Sequence, residues 1–110
     1  MGIDYQLHRV SVDMAKGFRE FQKADAELDK GNIDSTVRHL NHGLNLFTTA
    51  ADHAAKADDD AYNKAGDAIA KGDSELQKSI DAYGDGNTDS AANHYADALD
   101  SYDKALDLIS

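Results

Sequence analysis

Apolar residues along the chain recur every three or four positions rather than alternating, which is the spacing of a helix face and not of a strand. Four stripes of this kind can be traced. The first runs Ile3, Leu7, Val10, Met14, Gly17, Phe21, Ala24, Leu28, and the second Val37, Leu40, Leu44, Phe47, Ala51, Ala54. The third runs Tyr62, Ala65, Ile69, Gly72, Leu76, Ser79, Tyr83, and the fourth Ala92, Tyr95, Leu99, Tyr102, Leu106, Ile109. Such a spacing is the seam of left-handed bundles. No proline interrupts it. The pattern predicts four helices of roughly 22–26 residues, each about 35 Å long at 1.5 Å per residue.

The breaks between stripes are legible too. Gly31 and Gly86 stand where a helix ends in a left-handed residue. Asn32 and Asn87 follow as predicted N-caps, and Asp34 and Asp89 place negative charge in the next first turn, where the helix dipole favours it. Ala57-Asp58-Asp59-Asp60 links the second and third stripes and reads as a solvated turn. Short connections make sequential helices antiparallel neighbours. The expected fold is all-α: an antiparallel up-down-up-down four-helix bundle forming a single domain over residues 1–110.

The halves of the chain resemble each other at a shift of 55 residues, half of 110. Met14-Ala15-Lys16-Gly17 falls on Ile69-Ala70-Lys71-Gly72, Glu20 on Glu75, and Gln22-Lys23 on Gln77-Lys78. Gly31-Asn32-Ile33-Asp34-Ser35 falls on Gly86-Asn87-Thr88-Asp89-Ser90, His39 on His94, Leu44 on Leu99 and Phe47 on Tyr102. The register needs no gap and predicts an internal repeat of one helical hairpin, with copies over 1–57 and 58–110. Gly86-Asn87-Thr88, Ala91, Tyr95 and Ala98-Leu99 resemble the second half of a tetratricopeptide repeat. That resemblance implies small residues letting paired helices pack closely. The 55-residue period differs from the roughly 34 of that family, so only the packed hairpin carries over.

Composition narrows the function. Without Cys there is no disulfide framework, no thiolate metal site and no cysteine nucleophile. No apolar run approaches the roughly 18–20 residues of a membrane span. Eleven Lys and Arg against 21 Asp and Glu leave a net charge of −10. Such a surface repels phosphate backbones and anionic lipid, which argues against nucleic acid and membranes and for a protein partner with a basic surface. Eighteen of the acids are Asp and three are Glu, a bias against helix that the abundant alanine partly offsets. Self-repulsion among these charges is expected to weaken the fold at low salt.

Candidate chemistry is sparse. Gly17 and Gly72 lie mid-helix on the stripes, level with Phe47 and Tyr102. Each costs roughly 1 kcal/mol against alanine. They either make room for those rings or, together with Phe47 and Tyr102, line a small ligand pocket. Five histidines are present: His8, His39, His42, His53 and His94. The hemerythrin pattern and the Glu-x-x-His of di-iron bundles are both missing. His39 and His42 are neighbours on one helix and form an outward candidate metal pair. His39, Leu46 and His53 recur at seven-residue spacing and form, with His42, an expected partner-binding strip. His39-Leu40-Asn41-His42-Gly43 resembles the acceptor segment of histidine phosphotransfer domains in its His and the Gly four residues on, and departs from it at Asn41 and His42. Asp85-Gly86-Asn87-Thr88-Asp89-Ser90 begins like a calcium loop, but Ser90 and Ala96 stand where that loop needs Gly and Glu, so capping explains it better.

No phosphate-cradling loop and no His-Glu-x-x-His motif occurs, so no enzyme activity and no cofactor are expected. The chain shows no charged segment followed by an apolar leader, and with Cys absent a cytoplasmic location is expected, with a processed exported protein as the alternative. The sequence thus reads as a small acidic structural or protein-interaction module, monomeric or homodimeric. A metal- or ligand-binding bundle and a phosphotransfer module are the alternatives.

Overall fold

The computed structural model describes residues 2–110, with side chains from residue 5 onward. Ile3, at the head of the first stripe, therefore has its side chain outside the described residues. Four helices follow one another: α1 (Gly2–Asp29), α2 (Ile33–Lys56), α3 (Asp60–Gly84) and α4 (Thr88–Ile109). No strand occurs among the described residues. No helix there is long and apolar enough to cross a membrane.

The turns after α1 and α3 are built alike. Gly31 has φ 81° and Gly86 φ 79°, the left-handed region that a Cβ disfavours. The Asn32 N–H donates to the Glu27 carbonyl at 2.9 Å and the Gly31 N–H to Leu28 at 2.9 Å. In the second turn the Asn87 N–H donates to Ala82 at 2.9 Å and the Gly86 N–H to Tyr83 at 3.1 Å. Both are the paired closure that satisfies the last carbonyls of a helix.

The caps match the expectation in part. The Asn87 side chain accepts from the Ser90 N–H at 3.2 Å. Asn32 makes no such bond; its amide donates instead to the Glu27 carboxylate at 2.9 Å. The triple-Asp link is not simply solvated either. Asp59 caps α3 by accepting from the Tyr62 N–H at 3.0 Å. Asn63 donates back to the carbonyls of Ala54 and Ala57, at 2.9 and 3.0 Å, closing the end of α2.

Helix α1 packs on α2, α2 on α3 and α3 on α4, in a body 45 × 18 × 18 Å. Partners of α1 run backward along α2: Gln6 meets His53, Gly17 faces Phe47 and Glu20 meets His39. The α2–α3 seam is narrow because it is made of small residues. A methyl placed on Gly66 would lie 3.2 Å from the Ala54 Cβ and 3.4 Å from the Ala51 carbonyl oxygen. The α1–α4 edge is wider and is bridged by rings, as described below.

The stripes of α1 and α3 bury much as predicted: Val10, Met14, Phe21 and Ala24 on one, Ala65, Ile69, Leu76, Ser79 and Tyr83 on the other. Those of α2 and α4 hold in part: Leu40, Phe47, Ala54 and Tyr102 are buried as expected, and the other buried positions fall one residue earlier. The buried residues are Thr36, Leu40, Gly43, Phe47, Ala50 and Ala54 on α2, and Ala91, Ala98, Tyr102 and Ala105 on α4. Ala92, expected inside, is exposed; Val37, Leu44, Leu99 and Leu106 are half-buried. On these two helices small residues sit where neighbouring helices approach closely, Leu40, Phe47 and Tyr102 are buried among them, and Val37, Leu44, Leu99 and Leu106 cover the flanks. The Ser79 hydroxyl seals one such close contact, donating to the Ala91 carbonyl at 2.7 Å. One acidic side chain is also buried. Asp13 pairs with Arg9 at 2.9 Å through Oδ1, and its Oδ2 has no partner.

Candidate functional site

At mid-bundle, rings from three helices stack. Phe47 of α2 and Tyr102 of α4 lie 3.8 Å apart between centroids and 15° from parallel. Phe21 of α1 stacks on Phe47 at 5.4 Å and 5°. Phe18 and Tyr95 meet the stack edge-on. Glycines make this layer possible. A methyl on Gly17 would collide with the Phe47 ring, one on Gly43 with Phe21, and one on Gly72 would lie 2.6 Å from Tyr102. The ligand pocket expected at Gly17, Gly72, Phe47 and Tyr102 is thus filled by the protein's own rings, both fully buried. Gly43 likewise serves Phe21 packing rather than clearing space beside His39 for a receiver.

Tyr102 keeps a polar tip. Its hydroxyl donates to Asp73 Oδ1 at 2.6 Å, and Thr48 donates to Oδ2 at 3.3 Å. Burial pushes the Asp73 carboxyl up to about 6, and the nearby Asp52 charge adds to this; the two hydroxyl bonds oppose it. Burial, reinforced by the Asp73 charge, likewise raises the Tyr102 phenol.

The histidines are less outward than their spacing suggested. The His39 Nδ1 donates to Glu20 Oε1 at 2.9 Å, and the His53 Nδ1 to Gln6 at 2.6 Å, with the Tyr5 ring edge-on at 5.9 Å. His39 and His53 are therefore engaged by α1 and do not form a free strip with Leu46, which is half-buried. The side of α2 that meets α1 is broader than the apolar seam alone. His42 is the exposed member and brings its Nδ1 to 3.5 Å from the same Glu20 oxygen. Lys23 holds the other oxygen at 3.0 Å. The His39 bond first, and Lys23 second, pull the Glu20 carboxyl down to about 2.

The second hairpin repeats this arrangement. The His94 Nδ1 donates to Glu75 Oε2 at 2.8 Å while Lys78 approaches Oε1 at 3.4 Å. The His94 bond, ahead of Lys78, holds the Glu75 carboxyl below its ordinary range. Two groups follow in which one ligand atom from each residue lies within 4.8 Å of the others: Glu20, His39 and His42, and Glu75, His94 and Asp97. Sequence reasoning found His39 and His42 but missed Glu20. The available signal was that two of only three Glu residues fall at matching places in the two halves.

Between α1 and α4 a groove of about 370 Å³ remains open, lined by Phe18, Phe21, Tyr95, Leu99 and Leu106 with Asp25 and Asp103 among them. A second groove, about 410 Å³, runs between α3 and α4 over Ala68 and Leu108. Lys64, Lys71 and Lys104 flank it, with Asp67 answering their charge.

These features define an all-helical protein of four packed helices with interhelix Glu–His pairs and an apolar groove at its widest edge. No protein-family model, curated protein or solved structure matches the chain.

Proposed function

We propose that residues 1–110 form a single antiparallel up-down-up-down bundle of two related hairpins, 1–57 and 58–110, acting as a non-enzymatic protein-interaction module. Its partner presents a basic amphipathic helix, which lies in the α1–α4 groove. The backward pairing of α1 with α2 supports the antiparallel order. The recurrence of Glu20–His39 as Glu75–His94, and of Gly17–Phe47 as Gly72–Tyr102, supports the duplication.

The groove carries the functional reading. Four-helix packing normally buries the large side chains of all four edges. Here Leu99 and Leu106 pack against the core yet stay incompletely covered beside Phe18, rimmed by Asp25 and Asp103. The lining spans Tyr95 to Leu106 on α4, about 16 Å at 1.5 Å per residue, which suits roughly three turns of a docked helix. Apolar anchors would enter the groove, and Lys or Arg at its rim would meet the acids, with the net charge of −10 speeding encounter. Nucleic acid and membranes are not partners on this reading, and a cytoplasmic location suits it.

The test is fluorescence anisotropy with a labelled Lys/Leu amphipathic peptide and its Glu/Leu counterpart. The Lys/Leu peptide is expected to bind, and the Leu99→Asp/Leu106→Asp variant to lose that binding. The added aspartates strengthen diffuse attraction for a cation, so loss in a variant that keeps its helical circular dichroism comes from the groove. Equal binding by parent and variant overturns the reading. Sedimentation of the peptide-free protein provides the other check: a dimer broken by the same substitutions would place a second copy in the groove instead.

A further inference from the structure

The geometry points to a pair of divalent transition-metal sites, one clamping each hairpin: Glu20 of α1 with His39 and His42 of α2, and Glu75 of α3 with His94 and Asp97 of α4. Imidazole and carboxylate together are the donor set of zinc and its neighbours in the first transition series. In a tetrahedral zinc site with bonds of about 2.0–2.1 Å, ligand atoms stand roughly 3.3–3.4 Å apart. Glu20 Oε1 already lies 2.9 Å from His39 Nδ1 and 3.5 Å from His42 Nδ1. The remaining ligand atoms of each trio lie within 4.8 Å of one another, so side-chain rotation draws them in as an ion replaces the hydrogen bond. His39 would then bind through Nδ1 and carry its proton on Nε2.

Three further observations fit. The two histidines are three apart on one helix, so one turn presents both to the same point. Lys23 occupies only Glu20 Oε2, leaving Oε1 for the ion, and Lys78 and Glu75 divide the work in the same way with the oxygens exchanged. The half-exposed setting leaves a coordination position for water, with His42 the outermost ligand at 57% exposure. The two sites differ in one ligand, His42 against Asp97. Imidazole is a better zinc ligand than carboxylate, which favours hard ions. The first site is therefore the tighter for zinc. This inference does not depend on the groove; it uses other faces of the hairpins, and either can fail alone.

The experiment is calorimetric titration of the full metal-stripped chain with Zn²⁺ at about 0.15 M salt, with excess Mg²⁺ present to occupy the scattered carboxylates. Co²⁺ absorption provides a ligand-field signature. Two Zn²⁺ per chain with distinct affinities are expected. His42→Ala, at an exposed position that leaves the fold intact, should weaken the tighter site roughly 10–100-fold, as even outer-shell losses do, and abolish its Co²⁺ band. Glu20→Gln should weaken the same site, and His94→Ala the other alone. Binding that Mg²⁺ removes, or that survives His42→Ala and His94→Ala unchanged, overturns the proposal. Full affinity in Glu20→Gln overturns the three-ligand clamp in favour of an ordinary surface histidine pair.

Discussion

At the scale of single residues, the bundle turns on glycines that exist for the sake of rings. Gly17 and Gly72 forgo the helix propensity of alanine, about 1 kcal/mol each, and their missing methyls are where Phe47 and Tyr102 lie. Overpacking a filled core typically costs 1–3 kcal/mol. Gly17→Ala or Gly72→Ala should therefore lower stability by a net of up to ~2 kcal/mol despite the better helix former, read as a lower urea midpoint at unchanged slope. A gain would mean that the layer holds unused space.

Asp73 gives the second residue-scale prediction. Its carboxyl stands near 6 in the fold, against 3.8 as its ordinary value. The protonated form is thus favoured by folding. That contribution is complete below pH 4 or so and is lost as pH rises through about 6. Asp73→Asn mimics the protonated state and keeps an acceptor for Tyr102. It should raise stability at pH 7.5 by about 1 kcal/mol, after discounting for partial exposure. The advantage should fade towards pH 4, as followed by thermal melts across that range. A benefit that does not change with pH would contradict the assignment.

At the scale of elements, the stripes and turns were legible because each rests on local chemistry. Proline-free runs with 3–4 spacing gave four helices, and Gly31 and Gly86 marked the two matching turns. The phase of α2 and α4 was legible at Leu40, Phe47, Ala54 and Tyr102 and not at the positions between them. Spacing favoured the large residues Leu44, Leu99 and Leu106 as core, yet the closest helix approaches select Gly43, Ala50, Ala98 and Ala105. The face of α2 turned towards α1 includes His39 and His53, and Leu99 and Leu106 lie at the groove; the sequence alone revealed neither. Because these leucines are only partly buried against the core, Leu99→Asp/Leu106→Asp should keep the helical circular dichroism at low temperature while lowering stability by roughly 2–4 kcal/mol, read as a lower urea midpoint. Collapse of the fold would show that the groove is core.

At the scale of the whole molecule, an acidic surface surrounds small aromatic and apolar centres. The 21 acids repel one another across a body only 18 Å wide. That distance is within about two Debye lengths at 0.1 M salt. The melting temperature should accordingly rise between low and moderate NaCl, and a flat response would remove self-repulsion as a force on the fold. The same charge that strains the isolated protein would draw in a basic partner, so stability and recognition are linked through one surface.

The measurement that bears most directly on the functional account is an NMR titration of the full chain with the Lys/Leu peptide, mapping amide and methyl shifts. The account predicts shifts concentrated at Phe18, Phe21, Tyr95, Leu99 and Leu106, saturating at one peptide per chain. Shifts spread thinly over the aspartates of all four helices, without saturation, would contradict it.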